Sequence, residues 1–296
     1  MSGIVMDGGM GGEIAKRYED AKQGLWSASV LTEMPEMVIE IHREYIAAGA
    51  RMIITNTYST IPSYLAKAGR EAEYIDLTRL GGELARKAVN DSGETVQVAG
   101  SLPPLSESYR PDLVPPAAES LPVYENLVKA LLPNVDLFIC ETMSSADEAL
   151  HAASTAVAHG QGKPVYISWT LTEEPGGGLR SGETVTEAYN RVAHLDVAGF
   201  MFNCTMPEAI EAALRELRQL TDKPLGCYPN RTAEVPEGWT LDNELSAKRR
   251  TDLTTDYFVT TCFHCIDEGA SIVGGCCGIG PEDIAALAEA LEARQA

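Results

Sequence analysis

Short apolar runs alternate with amphipathic stretches along the whole chain. The runs fall at residues 4–7, 52–55, 96–100, 137–141, 165–170, 200–203, 225–228 and 271–275, and each is followed by a segment of helical period. Ile210, Ala213, Leu214 and Leu217 follow Pro207 at i, i+3, i+4 and i+7, and Ile284, Leu287, Ala288 and Leu291 repeat that spacing after Pro281. Proline opens both helices, where its missing N–H costs nothing. Alternation of this kind predicts parallel β/α units. The connections are unequal. Helix-to-strand links such as Ala48-Gly49-Ala50 and Thr221-Asp222-Lys223 are tight, whereas the strand-to-helix segments 8–34, 101–120, 171–183 and 230–253 are long. Eight units with one elaborated rim predict an α/β fold, a single (β/α)8 TIM barrel over residues 1–296, with any active site on the rim at the carboxyl ends of the strands.

Composition narrows the partners. A chain of 296 residues with 45% hydrophobic content buries a large core, and a barrel needs about 250 residues. A net charge of -20 disfavours nucleic acid or an anionic membrane as partner; it either attracts a cationic small molecule or keeps the protein soluble. No apolar run reaches membrane-spanning length, and the start MSGIVMDGG lacks the regions of a signal peptide, so a cytoplasmic location is expected. Seven cysteines at irregular spacing fit reduced thiols better than a disulfide framework.

Gly274-Gly275-Cys276-Cys277-Gly278 follows the eighth strand, and Cys204 closes the sixth. Three thiolates on one rim could hold a catalytic zinc with one position open, and the glycines permit the turn that two adjacent cysteines need to reach one ion. Packing is the competing reading of a Cys-Cys pair. Asp7 and Glu141 end the first and fourth strands, where each could bind an ammonium group or serve as a loop carboxylate. If Glu141 points into the mouth, Cys140 points toward the helices. Cys262 and Cys265 sit at i and i+3 of a helical run, 256–268, and read as core, with Cys227 a weaker ligand candidate. No lysine ends a strand, which argues against Schiff-base chemistry. Trp26, Tyr58, Tyr109, Tyr166, Trp169, Tyr228 and Trp239 offer aromatic faces to a cationic donor, and Arg110 could pair a carboxylate.

The order Asp7-Gly8-Gly9, Gly24-Leu25-Trp26-Ser27-Ala28, Thr55-Asn56-Thr57-Tyr58, Glu141-Thr142, Phe202-Asn203-Cys204 and Gly274-Gly275-Cys276-Cys277-Gly278 resembles the homocysteine S-methyltransferase family over essentially the whole chain. The resemblance implies a zinc-dependent barrel with Cys204, Cys276 and Cys277 as metal ligands and Asp7 and Glu141 at the homocysteine amine. It also places Gly8, Asn56 and Thr57 at the substrate and Trp26, Tyr58 and Tyr109 at the methyl donor. No side chain is assigned as general base. The Trp26 segment resembles the branch using S-methylmethionine or S-adenosylmethionine, while residues 102–111 depart from the glycine-rich loop of that branch. The implied activity is methyl transfer from a sulfonium or other onium donor to the homocysteine thiolate, giving methionine. Betaine as donor, another small thiol as acceptor, and a non-catalytic zinc or redox-sensing barrel are the alternatives. Small-molecule substrates, no nucleic acid or membrane partner, and a monomer or weak homodimer are expected.

Overall fold

The computed structural model describes residues 3–18, 26–232, 240 and 250–295, the side chains of Trp26 and Gln295 excepted. Among these residues eight parallel strands form one sheet: β1 (Ile4–Val5), β2 (Met52–Ile54), β3 (Gln97–Leu102), β4 (Leu137–Met143), β5 (Val165–Trp169), β6 (Gly199–Asn203), β7 (Leu225–Tyr228) and β8 (Ala270–Val273). They are ordered β1-β8-β7-β6-β5-β4-β3-β2. A parallel bridge between Met6 and Met52 brings the two ends together, so the sheet curls into a barrel. The segments with the 3.6-residue pattern become helices on its outside, among them Pro207–Arg218, Thr255–Asp267 and Pro281–Gln295.

Strand pleating sends alternate residues to opposite faces. Met6, Met52, Ala99, Leu137, Ile139, Met201, Tyr228 and Ile272 therefore fill the barrel interior as one buried cluster. Their neighbours, such as Ile53, Val98, Phe138, Ile167, Phe200 and Val273, belong to a second and larger cluster with the helices. That alternation corrects two of the aromatic assignments. Trp169 is on the outward face, fully buried and stacked on Phe200 at 5.6 Å between ring centroids, so it offers no surface to a ligand at the mouth. Tyr166 faces inward but sits near the amino end of β5, beside Gly199, below the mouth. Tyr228 faces inward at the carboxyl end of β7 and does reach the mouth.

The rim segments are more structured than their length predicts. Residues 8–34 include a helix, Met10–Arg17, that starts directly after β1 and buries Glu13 and Ile14. Residues 171–183 fold back on themselves through an antiparallel bridge between Leu171 and Leu179. Most of segment 230–253 lies outside the described residues, as does Trp239. No helix among the described residues is long and apolar enough to cross a membrane.

His42, in the helix Pro35–Ala47, is wholly buried, and neither ring nitrogen has a protein partner among the described residues. Desolvation pushes its pKa down to about 3. The unfolded chain, with histidine near 6.5, then binds the extra proton first, so the stability tied to neutral His42 is complete above pH 6.5 and drains away as pH falls toward 3. His42→Leu removes that loss. In urea titrations its advantage over the parent protein is expected to grow by up to about 1.4 kcal/mol per pH unit below pH 6.5; a pH-independent difference would contradict the assignment.

Candidate active site

A cavity of about 360 Å³ opens at the carboxyl ends of the strands, walled by Asp7, Tyr58, Tyr109, Glu141, Cys204, Cys276 and Cys277 among others. Cys204 follows β6 with a left-handed backbone (φ 52°), which rotates its side chain off the strand alternation and toward the mouth. Its sulfur lies 2.7 Å from that of Cys276 and 3.9 Å from that of Cys277. All three sulfurs lie within 4.8 Å of one another. The turn that presents the pair is tightly fitted. A Cβ on Gly275 would lie 2.2 Å from Ile279 Cγ2, and one on Gly9, across the cavity floor, 2.7 Å from the Cys276 carbonyl oxygen. Only glycine fits at either place.

The donor set suits a soft or borderline divalent ion. Among the described residues no fourth His, Cys, Asp or Glu joins the sulfur group, which leaves a coordination position for a ligand. The thiols also act on one another: hydrogen bonds from Cys204 and then Cys276 push the Cys277 thiol well below the ordinary cysteine range. A second thiolate at this spacing is electrostatically costly without a cation beside it. Tyr109, held in a left-handed conformation (φ 65°), donates its hydroxyl to Cys204 Sγ at 3.1 Å. The Arg180 guanidinium covers the other side of its ring at 4.5 Å.

Two carboxylates face this cluster. Asp7 sits at the seam of the barrel, its backbone N–H donating to the Met52 carbonyl and its carbonyl accepting from Gly275, while Oδ2 accepts the Ile54 N–H at 2.9 Å. Burial raises its pKa well above the usual carboxylate range, and the charge of Glu141 adds to the rise. Glu141 accepts a short hydrogen bond from Ser101 Oγ. Burial carries its carboxyl up to about 7, with the Ser101 bond opposing and the charge of Cys204 reinforcing. An ammonium group placed between the two carboxylates would return both to their ionised forms. Among the described residues no Lys, Arg or His lines the cavity. The polar groups suited to an anion are the N–H groups of Met10, Gly11 and Gly12 in the first turn of the helix Met10–Arg17, which have no intrahelical partner.

Most of the residues singled out in the sequence meet at this cavity: Asp7, Gly8, Asn56, Tyr58, Tyr109, Glu141, Cys204, Cys276 and Cys277 all line it. Thr57 does not line it. Its hydroxyl is turned to Thr55 Oγ1 at 2.8 Å and the Ser101 carbonyl at 3.4 Å, under the rim. The Trp26 side chain lies outside the described residues. Cys227 is on the outer face of β7, buried with Cys262 and Cys265 in the helix layer and away from the mouth. Cys140 is likewise buried among the helices. Arg110 pairs with Asp112 through two bonds of 2.8 and 2.6 Å and does not line the cavity.

The family model described as homocysteine S-methyltransferase matches residues 4–291. The chain belongs to the homocysteine S-methyltransferase family. It is 32% identical to the homocysteine S-methyltransferase of Escherichia coli over 96% of this chain and 94% of that one, and 27% identical to the Bacillus subtilis homocysteine S-methyltransferase YbgG over 96% and 93%. The metallated crystal form of the homocysteine methyltransferase MmuM from Escherichia coli superposes with a TM-score of 0.80 at 29% identity, covering 98% of this chain and 96% of that one.

Sequence reasoning missed the residues that hold the cysteine turn of this family member in place. Arg231 donates its backbone N–H to the Cys277 carbonyl at 2.8 Å, and its guanidinium pairs with Asp283 at 2.5 Å. Asp283 also accepts from Thr255 Oγ1 and the Gly280 N–H. Arg231 and Asp283 are 2% and 1% exposed, so the pair is fully desolvated. Removing one partner strands a buried charge. Arg231→Leu is expected to cost about 3–5 kcal/mol in chemical denaturation; a loss under 1 kcal/mol would show that Asp283 does not depend on Arg231.

Proposed function

We propose that this protein transfers a methyl group from a sulfonium donor, S-methylmethionine first and S-adenosylmethionine second, to the thiol of homocysteine, giving methionine. Zinc held by Cys204, Cys276 and Cys277 is part of the proposal. Bound there, the ion supplies a Lewis acid that keeps an acceptor thiol ionised near neutral pH, where a free thiol with a pKa of about 8.5 is mostly protonated. The observation that carries the reading is the pairing of three sulfurs with two buried carboxylates in one cavity.

The chain's own residues then divide the work. Asp7 and Glu141 take the acceptor's ammonium group, each ionising as it does so. The N–H groups of residues 10–12 and the backbone around Gly8 receive its carboxylate, and Asn56 orients it. The thiolate attacks the donor methyl carbon in line, at about 3–3.5 Å; a new S–CH3 bond forms as the donor's S–CH3 bond breaks, and its electron pair leaves with the thioether. An acidic, aromatic cavity favours a cationic donor in its reactive form, with Tyr58 and Tyr109 as the described faces and Trp26 as the third. We extend the proposal to the whole of residues 1–296 acting as one homocysteine-binding barrel domain. It works in the cytoplasm as a monomer or weak homodimer on small molecules, without nucleic acid or membrane.

Two experiments test this. Alanine at Cys204, Cys276 or Cys277 is expected to abolish zinc retention in dialysed protein by elemental analysis, while Cys262→Ala and Cys265→Ala keep it; full retention in the first group refutes the ligand assignment. With zinc-loaded protein, kcat/KM for S-methylmethionine is expected to exceed that for betaine by at least tenfold, and Glu141→Gln to raise the KM for homocysteine on the order of 10- to 100-fold through loss of a charged hydrogen bond. Preference for betaine would overturn the donor, and an unchanged KM would overturn the role of Glu141.

A further inference from the structure

Thr142 and Cys204 both line the cavity, and both have left-handed backbones, φ 59° and 52°. For a β-branched residue this conformation is uncommon and uphill, and it persists only where the surroundings enforce it. At Thr142 the enforcing group is the side chain of Asn203. Its Oδ1 accepts the Thr142 N–H at 2.9 Å and the Ser168 hydroxyl at 2.7 Å, and its Nδ2 donates to Thr142 Oγ1 at 2.8 Å. Asn203 is wholly buried. Thr142 directly follows Glu141, and Asn203 directly precedes Cys204. The strands that carry them, β4 and β6, are not neighbours; β5 lies between and contributes Ser168. One buried amide therefore ties the strand end holding the carboxylate to the strand end holding the sulfur.

We propose that Asn203 is a positioning residue that fixes the span between Glu141 and the sulfur cluster, and so selects the acceptor by chain length. The inference rests on the reading above, in which Glu141 takes the acceptor's ammonium group and the cluster its thiol. An amino-thiol anchored at both ends must match the distance between the anchors. Homocysteine and cysteine differ by one methylene, a difference worth roughly 10- to 200-fold in a rigid site. If Thr142 relaxes out of its left-handed conformation, Glu141 shifts with it, the span is no longer fixed, and the longer acceptor loses its advantage.

The test compares homocysteine and cysteine affinities by titration calorimetry on zinc-loaded protein without donor. The parent protein is expected to favour homocysteine by about tenfold or more, and Asn203→Ala to bring the ratio to within about threefold of unity, with zinc content retained. Ser168→Ala, which removes one bond to the same oxygen, is expected to lower the ratio by a smaller factor, so the inference stays testable if Asn203→Ala does not fold. In a Thr142→Gly background, where the left-handed conformation is free of strain, Asn203→Ala is expected to change the ratio much less than in the parent. Equal weakening of both acceptors, an unchanged ratio in both variants, or additive effects of Thr142→Gly and Asn203→Ala would overturn the proposal, as would a parent protein that binds the two alike. A parent protein that binds neither thiol sinks the proposed function itself, whereas a parent that prefers homocysteine with an unchanged ratio in the variants overturns only the positioning role of Asn203.

Discussion

Three sulfurs within 4.8 Å, facing two buried carboxylates, form a concentration of potential negative charge that folding alone would not retain. Charges of one sign at such distances repel strongly once water is excluded, and proteins answer by shifting pKa values or by binding cations. The first answer is visible. The carboxyls of Asp7 and Glu141 are raised toward their neutral forms, and the sulfurs share protons unequally. In the proposed function, zinc at the sulfurs and the acceptor's ammonium group at the carboxylates would supply positive charge in two places. An ammonium-bearing thiol with a cation at its sulfur end satisfies both, and a cationic donor adds to the same balance.

The price is met by the surrounding scaffold. Each element that aims a functional group is held by something buried that has no chemical role of its own. Ser101 steadies Glu141, the Ile54 N–H steadies Asp7, and the Arg231–Asp283 pair locks the turn behind Cys277. Glycines at 9 and 275 allow the cysteine turn to approach the first strand-to-helix loop closely. These contacts cross from one strand-to-helix unit to another, so they stiffen the mouth against independent movement of its loops. Tyr109 adds a lid-like group over the sulfurs, fixed from behind by Arg180, which is itself paired with Glu173 at 2.7 Å. Sulfur chemistry in this barrel is therefore set within a preorganised wall, as differential stabilisation of a transition state requires.

Much of this was legible in the chain. The period of the apolar residues determined the eight strands and the helices between them, because a pleated strand and an amphipathic helix each impose a repeat on sequence. Residue type and position at strand ends determined the candidates Asp7, Glu141, Cys204, Cys276 and Cys277, since a barrel places its chemistry at those ends. What alternation could not reveal is where the backbone breaks alternation. Cys204 and Thr142 reach the mouth through left-handed conformations stabilised by groups on other strands, whereas Trp169 and Cys227 keep the alternation and turn outward. The same limit hid the roles of Asn203, Arg231 and Asp283, which depend on side-chain bonds to Thr142, Asp283 and Thr255 across 28 to 61 residues of chain. Sequence by itself determined the repeat, the charge and the reactive groups, because those are local properties. Tertiary structure alone decided which of them meet, at what distance and in which protonation state, because burial and long-range hydrogen bonds exist only once the barrel has closed.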